Sequence, residues 1–137
     1  MSVKKCVIVV DQDLPLGVIA NTASVLSLSI GKSVPEIVGN DLEDSNGNKR
    51  KGITTVPIPI LKRNNLNLTE LREALKPHEP ALTVVDVISA TRTTKSYEEY
   101  SEQLKQTPVE KLEYQGIALY GDSKLVNRFT GSLGLLR

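Results

Sequence analysis

The stretch VIVVDQDLPLGVIANTASVL, residues 7–26, sets a short apolar run against a polar loop and then a longer apolar segment. Val3 to Val10 is rich in β-formers and apolar on both faces from Cys6 onward, the pattern of a strand covered on both sides. Gly17 to Lys32 lacks proline and carries Val18, Ile19, Ala23, Val25, Leu26, Leu28 and Ile30 among small polar residues. Apolar residues round most of its circumference predict a helix pressed between a sheet and something else. Its serines, Ser24, Ser27 and Ser29, are expected to allow close packing or to bond back to the helix rather than to act as nucleophiles. Asp11, Gln12 and Asp13 fall where a buried strand hands over to a helix, and open α/β sheets bind ligands outside the carboxyl ends of parallel strands.

The chain has 137 residues, which fits one domain, 1–137, with a proper core. Its 17 basic and 16 acidic residues leave a net charge of +1, so no global field draws it to nucleic acid or membrane. An anionic partner must then be met by a local patch. One cysteine excludes an internal disulfide, and Cys6, inside an apolar run, reads as a small buried hydrophobe in a reducing, cytoplasmic setting. Only about five apolar residues precede the first acids, too few for a signal peptide or membrane span.

Strands and helices alternate along the rest of the chain. Residues 40–52, NDLEDSNGNKRKG, form a surface loop or hairpin with solvated charges. In ITTVPIPIL, Val56, Ile58 and Ile60 alternate with Thr55, Pro57 and Pro59. The two prolines remove successive donors from one side, which predicts an edge strand, or a bulged one, with that side unpaired. Asn67 or Thr69 caps a short helix, Thr69 to Lys76, stopped by Pro77. His78, the sole histidine, lies in KPHEP and reads as a solvated loop residue, with a ligand role as the alternative. Ala81 to Ala90 is a strand whose one acid, Asp86, needs either a partner or a pocket. Ser96 to Gln106 is a helix with Ser96 and Glu99 as a capping box and with Tyr97, Tyr100 and Leu104 spaced as a core face. Leu112 to Tyr120 makes a further strand, and Gly121-Asp122-Ser123 opens a helix whose stripe is Leu125, Val126 and Phe129. GSLGLLR then docks on the body. The expected fold is α/β: a two-layer or three-layer sandwich with a mixed, about four-stranded sheet flanked by helices.

The run GDSKLVNRFTGSLGLLR, residues 121–137, resembles the closing signature of the type 2 peptidyl-tRNA hydrolases through Thr130, Gly131, Leu133, Leu135 and Leu136. Asp13-Leu14, Leu16, Gly17 and Ile19-Ala20 are similar to that family's first loop and helix. The order of elements agrees along essentially the whole chain. Residues 54–60 and 116–121 resemble an uncharacterised branch of this superfamily, a domain of unknown function. The resemblance implies the hydrolase-type fold and a homodimer.

The departures bear on activity. Where the hydrolases carry a lysine, a glutamine and a histidine, this chain has Val18, Thr22 and Val25. Their Asp-Ala-Gly-Arg-Thr element is matched by Ser89-Ala90-Thr91-Arg92-Thr93, without the acid. A valine neither holds a phosphate nor relays a proton, so peptidyl-tRNA hydrolysis, and with it a tRNA partner, is not expected. What remains is a polar crevice of Asp11, Asp13, Gly17, Asn21, Thr22, Arg92 and Thr93 able to hold a small anionic or phosphate-containing ligand, with the free N–H groups of the helix start at Gly17. A polar turn before a helix is the plain reading of residues 91–95. Two alternatives stand beside binding: a hydrolase of altered chemistry using Asp11, Asp13 or Asp86, and a homo-oligomeric interaction protein. No metal or cofactor is expected.

Overall fold

The computed structural model describes residues 3–137. In chain order its elements are β1 (Lys4–Asp11), α1 (Leu16–Ser33), β2 (Leu42–Glu43), β3 (Lys49–Arg50), β4 (Ile60–Arg63), α2 (Asn65–Leu75), β5 (Thr83–Ile88), α3 (Tyr97–Gln106), β6 (Tyr114–Asp122) and α4 (Ser123–Thr130). The main sheet has the order β4-β1-β6-β5, while β2 and β3 form a separate hairpin. β1 and β4 run parallel, and β6 is antiparallel to both of its neighbours. The carboxyl ends of β1, β4 and β5 therefore share one rim with the start of β6.

Alternation along the strands divides the core into two layers. Cys6, Ile8, Val10 and Ala118 face Ile19, Leu26 and Ile30 of α1. Val7, Val9, Ile117 and Leu119 face Leu68, Leu71 and Leu75 of α2 and Val126 of α4. The architecture is thus a three-layer α/β sandwich. Among the described residues, no helix is long and apolar enough to cross a membrane.

Several elements differ from the sequence reading for identifiable reasons. α1 buries only Ile19, Thr22, Leu26 and Ile30, and Leu16 and Leu28 are 81% and 79% exposed. Its apolar outer side has no second layer over it among the described residues. α2 starts at Asn65, earlier than expected, because the Asn64 side chain accepts the Asn67 N–H and caps it. β5 stops at Ile88 rather than Ala90, and a 3₁₀ turn follows over Ser89–Arg92. α3 is capped by Ser96 as expected, but it has no buried residue and Tyr97 is 84% exposed. Tyr100, half-buried, packs against the core from this helix.

β4 is an edge strand, yet its prolines do not mark the open side. Leu61 and Pro59 face β1, since Ile8 N–H donates to the Pro59 carbonyl at 3.0 Å in a ladder that pairs Ile8 with Ile60. Pro59 shares that orientation and has no donor to offer, so the prolines end the parallel ladder. The outer side is covered by the tail: Lys62 N–H donates to Gly134 O at 3.0 Å and Leu136 N–H to Ile60 O at 2.9 Å.

Gly116 marks the closest approach of α1 to the sheet. A Cβ there would lie 2.8 Å from Thr22 Cγ2, 3.1 Å from Leu26 Cδ1 and 3.1 Å from the Val9 carbonyl oxygen. Gly116→Val should lower stability by about 1–3 kcal/mol, read as a reduced urea midpoint. Cys6 is 1% exposed, and burial pushes its thiol from 9.0 up to about 11. An acid whose folded pKa is raised keeps its stabilising effect below its unfolded value and loses it as pH climbs through about 9 to 11. The native chain should therefore resist iodoacetamide at pH 8 and react once unfolded in urea, measured by mass spectrometry.

Candidate functional site

The rim is built first by the turn that leaves β1. Gln12 N–H donates to Arg63 O at 2.9 Å, which keeps the ends of β1 and β4 side by side. Asp11, 8% exposed, accepts the Asp13 N–H on Oδ1 at 3.0 Å, an Asx turn that aims the chain into Pro15. Pro15 supplies the N-cap of α1 with no side-chain cap and no acid in the first turn. Its carbonyl accepts the Ile19 N–H at 3.0 Å, so the N–H groups of Gly17 and Val18 precede the first intrahelical bond. A Cβ on Gly17 would meet nothing within 4 Å, which leaves this helix start open. Asp13 and Asn21 are exposed beside it.

A β-bulge supplies the centre. β6 pairs Gly116 with Val87 but Tyr114 with Ile88, so Gln115 is an extra residue in the ladder. The insertion resets alternation: Gln115 turns toward α1 on the same side as Gly116, and Tyr114 goes to the α2 side. Gln115 is 2% exposed, and both ends of its amide are used. Nε2 donates to Thr22 Oγ1 at 2.9 Å, and Oε1 accepts from Arg92 Nε at 2.7 Å. Arginine can only donate, so the orientation of the amide follows from its neighbour. Arg92 projects from the 3₁₀ turn with Nε committed and its two terminal nitrogens without protein acceptors among the described residues.

This arrangement sorts the residues singled out in the sequence. Thr22 and Arg92 are joined through Gln115, whereas the Thr93 hydroxyl donates back to Ala90 O at 3.3 Å within its own turn. Asp86 lies on the other face, where Arg72 Nε donates to it at 2.7 Å while Arg72 Nη1 reaches Glu79 at 2.8 Å. Burial works against the Arg72 charge, but its bonds to Asp86 and Glu79 outweigh that and hold the guanidinium above its ordinary range. Tyr114 nearby is pushed up to about 12 by burial and by the negative charge of Asp86. Burial raises Tyr100 as well, opposed by the Ile88 N–H that its hydroxyl accepts at 3.0 Å. Gln115 escaped the sequence reading; the signal for it was the glycine inside a strand, which marks a bulge or a close backbone approach. Among the described residues, no group of three or more His, Cys, Asp or Glu is placed to hold a metal ion.

Fold and rim together define an α/β protein with a mixed four-stranded sheet and a polar relay at its parallel-strand ends. The chain belongs to the DUF2000 family, described as a protein of unknown function, whose model matches residues 4–137. It is similar to the solved structure of Atu0240, a protein of unknown function from Agrobacterium tumefaciens strain C58, with 20% identity, a TM-score of 0.89 and coverage of 98% of each chain. At that identity the likeness establishes a shared fold. No curated protein matches this chain.

Replacing Thr22 by valine keeps the shape of the side chain and removes the acceptor for Gln115. Thr22→Val should cost about 1–3 kcal/mol through the unsatisfied amide. Chemical denaturation measures this, and an unchanged midpoint would show that Gln115 finds another partner.

Proposed function

We propose that this chain is a binding module for a small anionic or phosphate-containing ligand held at the junction of β1 and α1. The observation that carries this reading is the guanidinium of Arg92. A buried glutamine holds its Nε edge while the terminal donors have no acceptor among the described residues, which orients a bidentate anion contact before any ligand arrives. The uncapped start of α1, whose Gly17 and Val18 N–H groups have no acceptor among the described residues and whose first turn has no acid, adds a second set of donors. Asp11 spends one carboxylate oxygen on the Asp13 N–H, which moderates its repulsion of an anion.

Binding is favoured over hydrolysis because the groups that would run the chemistry are replaced or occupied. Val18 and Val25 stand where the resembled hydrolases carry a lysine and a histidine. Asp86 is tied to Arg72, and Asp13 is exposed to solvent. Self-association is a second reading, supported by Leu28 and Val38, 79% and 47% exposed, which line a shared hollow beside Lys32.

Titration of the ¹⁵N-labelled chain with phosphate and pyrophosphate should move the amide signals of Gly17, Val18 and Arg92. Arg92→Ala should weaken this binding about tenfold or more, the loss of one charge-assisted pair. Binding unchanged in Arg92→Ala would overturn the proposal. Peptidyl-tRNA incubated with the chain should remain intact, and clear turnover would show that Val18 and Val25 do not remove the hydrolase chemistry.

A further inference from the structure

The two edges of the sheet are treated differently. β4 is covered by residues 134–136, whereas nothing described pairs with the outer side of β5. Two hydrogen bonds fix which β5 groups point outward. Ser89 N–H donates to Glu113 O at 2.8 Å on the β6 side, and Ile88 N–H donates to the Tyr100 hydroxyl at 3.0 Å on the other. Successive residues of a strand alternate, so Val84 and Asp86 present their N–H and C=O groups to the open side. A groove of about 480 Å³ runs along this edge. Val25 and Ser29 of α1 form one wall, Tyr97 and Tyr100 of α3 the other, and Thr91 and Lys95 stand at the end where the chain leaves β5. That volume falls in the roughly 300–1,000 Å³ range of ligand clefts.

The geometry points to a peptide-binding site in which the last three residues of an extended polypeptide add to β5 as a parallel fifth strand, with the terminal carboxylate at Tyr100, Thr91 and Lys95. Unpaired backbone donors and acceptors call for a backbone partner, and an apolar small molecule would leave them unsatisfied. Direction follows from charge. Lys95 makes no ion pair with any described residue, and it lies at the carboxyl end of β5, so the negative end of the peptide belongs there. In that register the third residue from the end donates its N–H to Val84 O and accepts the Asp86 N–H. The final residue donates its N–H to Asp86 O. Its carboxylate then arrives where Tyr100 already takes the Ile88 N–H, so the tyrosine hydroxyl ends the ladder and has its own proton free to donate. Side chains of the last and third-last residues face Val25, Val85 and Val87, which suits valine or another medium aliphatic group. This site adjoins the Arg92 crevice and does not depend on it.

Acetyl-Ala-Val-Lys-Val with a free carboxylate is the probe, titrated into the ¹⁵N-labelled full chain. The amides of Val84, Asp86 and Lys95 should shift, and amidating the carboxyl terminus should weaken binding about tenfold or more. N-methylation of the final valine should do the same because its N–H points at β5, while N-methylation of the lysine, whose N–H points away, should leave binding unchanged. These changes are made on the peptide, so folding of the protein is not at issue. Equal binding of acid and amide, equal sensitivity to the two N-methyl groups, or no shift at millimolar peptide would overturn the proposal. So would a dimer, detected by sedimentation, that pairs β5 with its own copy and excludes the probe.

Discussion

Helix α1 lies close enough to β6 to share a hydrogen bond with it, from Gln115 to Thr22, because residue 116 has no side chain. Thr22 and Leu26 occupy the space that a Cβ at Gly116 would need. That contact fixes the helix against the two central strands at the level where the rim residues emerge. Everything placed by α1, from its open first turn at Leu16 and Gly17 to the groove wall at Val25, inherits its position from this one approach. Packed interiors respond to a single methyl group, so a structure that depends on a missing one is tightly constrained there.

The bulge at Gln115 converts this packing into a polar arrangement. In a regular ladder Gln115 would face α2 and its amide would need partners among Leu68, Leu71 and Leu75. One inserted residue turns it toward Thr22 and Arg92, where both ends of the amide are satisfied. A fully satisfied buried amide stiffens its neighbours, and a half-satisfied one destabilises them. The guanidinium of Arg92 is thus located by a threonine on α1, a glutamine on β6 and a 3₁₀ turn after β5, three segments distant in sequence.

What the sequence disclosed, and what it concealed, follows from the range of the interactions involved. β1, α1, β6 and α4 were legible because their patterns are local: continuous apolar strands, a proline-free helix, and an Asp122 cap that accepts the Lys124 N–H. The start of α2 was obscured because the run Asn64-Asn65-Leu66-Asn67-Leu68-Thr69 offers several caps with similar intrinsic merit. Pro57 and Pro59 correctly flagged an edge strand, but which side of β4 they face depends on register with β1, which composition does not encode. Tyr97, Tyr100 and Leu104 have the spacing of a core face, yet Tyr97 and Leu104 are left in solvent, because Tyr100 is the one of the three packed against the core. Asp86 announced its need for a partner, and Arg72, 14 residues earlier on a different layer, could be named only once the sheet and α2 were assembled. Of the candidate site, Thr22 and Arg92 were visible as residues and Gln115, which joins them, was not.

The tail laid over β4 bears on the number of ways the sheet can grow. A sheet with two bare edges is divalent: the β5 edge of one molecule can receive the β4 edge of the next, and head-to-tail pairing of that kind has no built-in end. Residues 134–136 occupy the β4 edge through Lys62 and Ile60, which leaves β5 as the one exposed ladder among the described strands of the main sheet. That sheet, in its described strands, is then monovalent for strand pairing. It can accept one strand and stop, a chain terminator in the polymer sense rather than a link.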